Sequence, residues 1–201
     1  MAAMLVAVEG CGEAVWAKET PTPLGVTVCP GVEFPPEPVV MGLGLGVPWG
    51  WFCAVIGIDA GLAGNTVGFL AGGVQATPGV NVSRWVGIAW QVAGCANFSE
   101  DCLLGIQTAV GYNQCDHRMG GLQLATVNGA CRIGGAQIGI VNRAKKMSGV
   151  QFGVFNQAEN ASGLQVGIVN KAPALKGVQL GVANFAGEPV MGFLPLVRFS
   201  F

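Results

Sequence analysis

The chain has 201 residues, 33 of them Gly, with 51% hydrophobic and only 10% charged residues, a mean hydropathy of +0.53 and a formal net charge of −1. A soluble globular domain carries about 25% charged residues and ~7% Gly, so this chain has less than half the charge and more than twice the glycine expected of that class. The apolar content excludes disorder, and the near-neutral charge gives no footing for a nucleic-acid partner.

Residues 1–21 read as a degenerate leader or N-terminal extension. Ala2 to Val8 is a short apolar run and Val15-Trp16-Ala17 resembles a cleavage site, but no positive residue opens the segment and Glu9 interrupts it. Residues 22–201 read as a single repeat-built β domain. Val39 to Ile58 is long enough and free enough of charge for a membrane helix. It holds Gly42, Gly44, Gly46, Gly50, Gly57 and Pro48, however, and a helix interior charges ~1 kcal/mol for each Gly and ~3 for Pro. Strands are expected there instead. The full set runs 22–32, 38–47, 52–61, 66–76, 80–93, 103–113, 121–128, 135–142, 149–156, 163–170, 177–185 and 191–201.

From Gly121 onward one motif recurs every 14 residues: GLQLATVN, then GAQIGIVN at Gly135, GVQFGVFN at Gly149, GLQVGIVN at Gly163 and GVQLGVAN at Gly177. Weaker copies start at Gly42, Gly57, Gly73 and Gly105. Within a copy Val150, Phe152 and Val154 share one face while Gly149, Gln151 and Gly153 share the other, the period of a strand. Between copies lie Arg143–Ser148, Gln157–Ser162 and Lys171–Lys176, polar hexamers of turn length.

Repeated strands with short turns remove sheet edges either as an up-and-down barrel or as a parallel solenoid. A two-walled coil would have to build its second wall from RAKKMS and KAPALK, a poor core. A tilted strand of about nine residues instead spans an apolar band of ~25 Å. The reading is therefore all-β: an up-and-down antiparallel β-barrel of about 12 strands, outer-membrane type, with the large residues facing lipid. The alternative is a parallel β-solenoid of 14-residue repeats, in which Asn128, Asn142, Asn156, Asn170 and Asn184 stack as a ladder.

The GxQxGxxN units and the Phe193-Leu194-Pro195-Leu196-Val197 ending resemble a family of bacterial surface-repeat proteins, from about Pro23 onward and most strongly from Gly121. The resemblance implies cell-surface or outer-membrane placement and brings no activity with it. Val197, Phe199 and Phe201 on one face also resemble the closing strand of outer-membrane barrels.

Chemistry is sparse. His117, the single His, lies in Asp116-His117-Arg118 without an identifiable nucleophile and reads as a loop residue. The seven cysteines include no CxxC and no metal-ligand spacing, so no metal or other cofactor is expected. Cys95 and Cys102 flank a short loop that a disulfide would close in an oxidising compartment. Gln107, Gln123, Gln137, Gln151, Gln165 and Gln179 form a regular polar row, either lining a lumen or laddering with one another.

In an up-and-down barrel one rim gathers Arg118, Arg143, Lys145, Lys146, Lys171 and Lys176, a site for lipid phosphates or lipopolysaccharide, while the other carries Arg132, Glu159 and Glu188. A solenoid interleaves Arg132 and Glu159 with the lysines along one edge. The expected function is a bacterial outer-membrane or surface protein with a structural or weak pore role and no catalysis. The alternative is a secreted or surface solenoid acting as an adhesive or assembly scaffold.

Overall fold

The computed structural model describes residues 21–29, 32–34, 39–187 and 193–200. The first strands are β1 (Thr22–Cys29), β2 (Val32–Phe34), β3 (Val39–Gly46), β4 (Trp49–Gly61), β5 (Gly64–Thr77), β6 (Val80–Ala93), β7 (Ala96–Ser99) and β8 (Cys102–Ala109). They are followed by β9 (Tyr112–Leu124), β10 (Val127–Ile138), β11 (Val141–Phe152), β12 (Phe155–Val166), β13 (Val169–Ala172), β14 (Ala174–Ala186) and β15 (Phe193–Ser200). Residues 1–20 of the leader, Glu188 and Phe201 fall outside the described residues.

Each repeat forms one complete coil rather than a strand and a turn. In β11, Asn142, Ala144, Met147 and Gln151 point inward, while Arg143, Lys145, Lys146, Ser148, Val150 and Phe152 point out. Lys145 and Lys146 are successive outward residues, so the alternation shifts phase where the coil bends. The chain then turns at Gly153-Val154 and enters β12 one layer on, where Asn142 pairs with Asn156, Met147 with Ala161 and Gln151 with Gln165.

The barrel is therefore overturned. From β3 to β14 every pairing is parallel, at a constant offset of 14 residues in the C-terminal coils, giving a β-solenoid of about 10 turns. An up-and-down barrel needs antiparallel hairpins, and the strand order here runs from β15 to β2 without closing on itself. Among the described residues the antiparallel pairs are at the two ends, β1 with β2 and β15 against β14.

The physical reason lies in the hexamers read as turns. RAKKMS sends its charges outward and buries Ala144 and Met147; QAENAS buries Ala158 and Ala161; KAPALK buries Ala172 and Leu175. Two small or apolar side chains three residues apart suffice for the second wall, because the opposite wall contributes amides rather than bulky groups. Val39 to Ile58 forms β3 and β4, and among the described residues no helix is long and apolar enough to cross a membrane.

Candidate functional site

With no barrel there is no lumen, and the glutamine row occupies the closed interior. Gln75, Gln91, Gln107, Gln123, Gln137, Gln151, Gln165 and Gln179 are all 0% exposed. From Gln91 onward each donates Nε2–H to the Oε1 of the glutamine one coil before it, at 2.7–2.9 Å. A parallel column of asparagines from Asn65 to Asn184 donates the other way: Asn142 Nδ2 reaches Asn156 Oδ1 at 2.8 Å, and Asn156 reaches Asn170 at 2.8 Å. The second Asn hydrogen crosses the coil, from Asn142 to the Phe152 carbonyl at 3.0 Å, and so fixes the turn at Gly153. A buried amide left unpaired costs about 1–3 kcal/mol, so each column holds only while its neighbours are present.

Both columns stop at the N-terminal end, where Gly44 pairs with Asp59 and Gly50 with Asn65. Asp59 takes the glutamine position and accepts from Gln75 Nε2 at 3.3 Å through Oδ2. Its Oδ1 and the Oδ1 of Asn65 are buried without a hydrogen-bond partner. Burial pushes this carboxyl up from 3.8 to about 7, against a smaller opposing effect of the Gln75 hydrogen bond.

The outer surface is asymmetric. One outward row is apolar on every coil, from Leu43 and Ile58 through Val74, Trp90 and Ile106 to Leu122, Ala136, Val150, Leu164 and Val178, all in register. The next row carries Leu124, Ile138, Phe152, Val166 and Leu180. At the turns stand Val110, Ile140, Val154, Ile168 and Val182, from 46% to 73% exposed. The period-two reading of Val150, Phe152 and Val154 as an outward apolar face thus describes the solenoid's wall.

Cations border that wall. Arg118, Arg132 and Lys146 are register partners on three successive coils, all exposed, and among the described residues none has a carboxylate at ion-pair distance. Between this row and the wall runs a row of small residues, Gly120, Gly134, Ser148 and Ser162, ending in Lys176. Arg143 and Lys171 stand in a separate row, two layers apart across Gln157. The two-rim division of these charges is corrected accordingly: Arg132 lies between Arg118 and Lys146, because successive turns stack on the same side.

Cys95 and Cys102 are both free and exposed. Strand β7 runs between them, and its four residues at ~3.3 Å each span ~13 Å, beyond the ~7 Å limit of a disulfide's Cα atoms. Cys115 is buried, its Sγ contacting the Asp101 carbonyl oxygen at 3.2 Å, and burial raises its pKa to about 11. His117 is exposed within β9, not in a loop, and shares a groove of about 290 Å³ with Arg84, Trp85, Glu100 and Asp101; Arg84 and Glu100 approach to 3.8 Å. Among the described residues no group of three His, Cys, Asp or Glu gathers as a metal site.

Sequence reasoning reached the glutamine and asparagine rows and the outward apolar face. It missed Asp59, whose signal was the replacement of the repeat's Gln by Asp in GIDAGLAGN. Comparison with protein-family models, curated proteins and solved structures finds no match to this chain.

Proposed function

We propose that the chain is a non-enzymatic cell-surface scaffold, a secreted or surface-held β-solenoid whose apolar wall makes adhesive or assembly contacts. The wall carries this reading. Its leading row of ten register positions at ~4.8 Å per coil is about 43 Å long, and the two shorter rows beside it widen it to about 13 Å over five coils, an area of about 350 Å². A monomer's largest exposed apolar patch is about 300–600 Å² and is often functional, and this wall falls within that range. The amide columns support the same reading, since they hydrogen-bond each coil to the next along the length of the stack.

Placement is tested through Cys95 and Cys102, both exposed thiols. A membrane-impermeant maleimide added to intact cells that make the protein is expected to label it as fully as in a lysate. Labelling only after lysis would remove the surface assignment.

A further inference from the structure

We infer that the apolar wall and the cationic row beside it form one docking surface for an anionic lipid bilayer, with the solenoid lying along the membrane. The inference rests on the scaffold reading and names the partner of its wall.

Seven of the ten Lys and Arg residues fall between Asp116 and Lys176, a span whose carboxylates are Asp116 itself and Glu159. Arg118, Arg132 and Lys146 are stacked one coil apart, about 4.8 Å, so like charges crowd one another along the ladder. A complementary surface has to bring closely spaced anions next to an apolar layer. A lipid leaflet containing acidic headgroups does both.

The geometry of the border suits that partner. Gly134 carries no side chain and has nothing within 4 Å of its Cβ direction, and Ser148 and Ser162 continue this low strip, which ends at Gly120, where the Leu104 side chain lies over the backbone. Long basic side chains can extend across it, their stems on the strip and their charges at the headgroups, while Ile140, Val154 and Ile168 enter the acyl boundary.

A second copy of the chain fits less well. Two such walls face to face would bury about 700 Å², under the ~1,200–2,000 Å² of a stable interface. The chain's own exposed acids also form no row that matches the cations.

The test is flotation of the full chain with vesicles of phosphatidylcholine alone or mixed with phosphatidylglycerol, at low and high salt. Two variants accompany it, R118Q/R132Q/K146Q and I140S/V154S/I168S, each checked for native circular dichroism. Both alter only exposed side chains. The expected result is salt-sensitive binding to the phosphatidylglycerol vesicles that falls roughly 100-fold in the charge variant. The wall variant should lose binding to the phosphatidylglycerol vesicles as well.

Absence of flotation, or binding indifferent to both sets of substitutions, overturns the proposal. So does a salt-resistant dimer that ignores vesicles and dissociates in the wall variant, which would give the wall to a second copy and leave the scaffold reading standing. Failure of the scaffold reading is read separately, from the thiol labelling.

Discussion

At Gly135 the backbone has φ +141°, and an added Cβ would lie 2.1 Å from the Gly121 carbonyl oxygen one coil below; at Gly134 the same atom would meet nothing within 4 Å. Adjacent glycines should therefore respond oppositely to alanine. Gly134→Ala is expected to be neutral or to stabilise by about 0.4–1 kcal/mol through the unfolded chain. Gly135→Ala combines a strained backbone with a clash against a fixed carbonyl and should cost upward of about 2 kcal/mol in urea unfolding.

Asp59 gives a second residue-level outcome. Its folded pKa, about 7, lies above the ordinary 3.8, so the folded chain binds this proton more tightly than the unfolded one. The stabilisation is complete below pH 3.8 and fades as the pH rises through about 7. Between about pH 5 and pH 8 the wild type should lose about 2–3 kcal/mol from this group, and Asp59→Asn should flatten that slope in denaturant melts.

Along a single coil, the sequence discloses the side facing in more readily than the direction of the next layer. The alternation Gly149-Val150-Gln151-Phe152-Gly153 identifies the inward amide and the outward apolar residues whether the strand belongs to a barrel or to a solenoid, because period two is common to both. The element boundaries are harder. An expected strand at 149–156 straddles Gly153-Val154, where β11 ends and β12 begins. The decisive information sits in Ala144 and Met147, Ala158 and Ala161, and Ala172 and Leu175, pairs spaced by three that interrupt period two and look like loop composition among Lys, Arg, Glu and Ser.

The cationic row shows the same limit. Arg118, Arg132 and Lys146 are each visible in the sequence, yet their juxtaposition needs the layer offset, which only parallel pairing supplies. The free state of Cys95 and Cys102 likewise follows from β7 running straight between them, where the sequence alone offered a loop.

For the whole molecule, the constant offset makes the coil a removable unit. Deleting Gly149–Ser162 joins Ser148 to Gly163, whose register equivalents are already Ser162 and Gly149, so every remaining layer keeps its partners. The shortened protein should retain its far-ultraviolet circular dichroism and melt within a few degrees of the parent. Deleting only Gly149–Phe155 joins Ser148 to Asn156, bringing amide and charged positions out of phase, and should abolish cooperative melting.

That modularity has an electrostatic side, since the asparagine column donates toward the C-terminus and the glutamine column toward the N-terminus. In an α-helix the peptide dipoles align and leave charge at the ends. Here the two columns of side-chain dipoles oppose each other at every layer, so a longer stack gains hydrogen bonds without building up a field from its amide side chains. Duplication of a 14-residue unit thus brings no accumulating electrostatic cost in the core, and the length of the rod is free to vary between descendants of one ancestral coil.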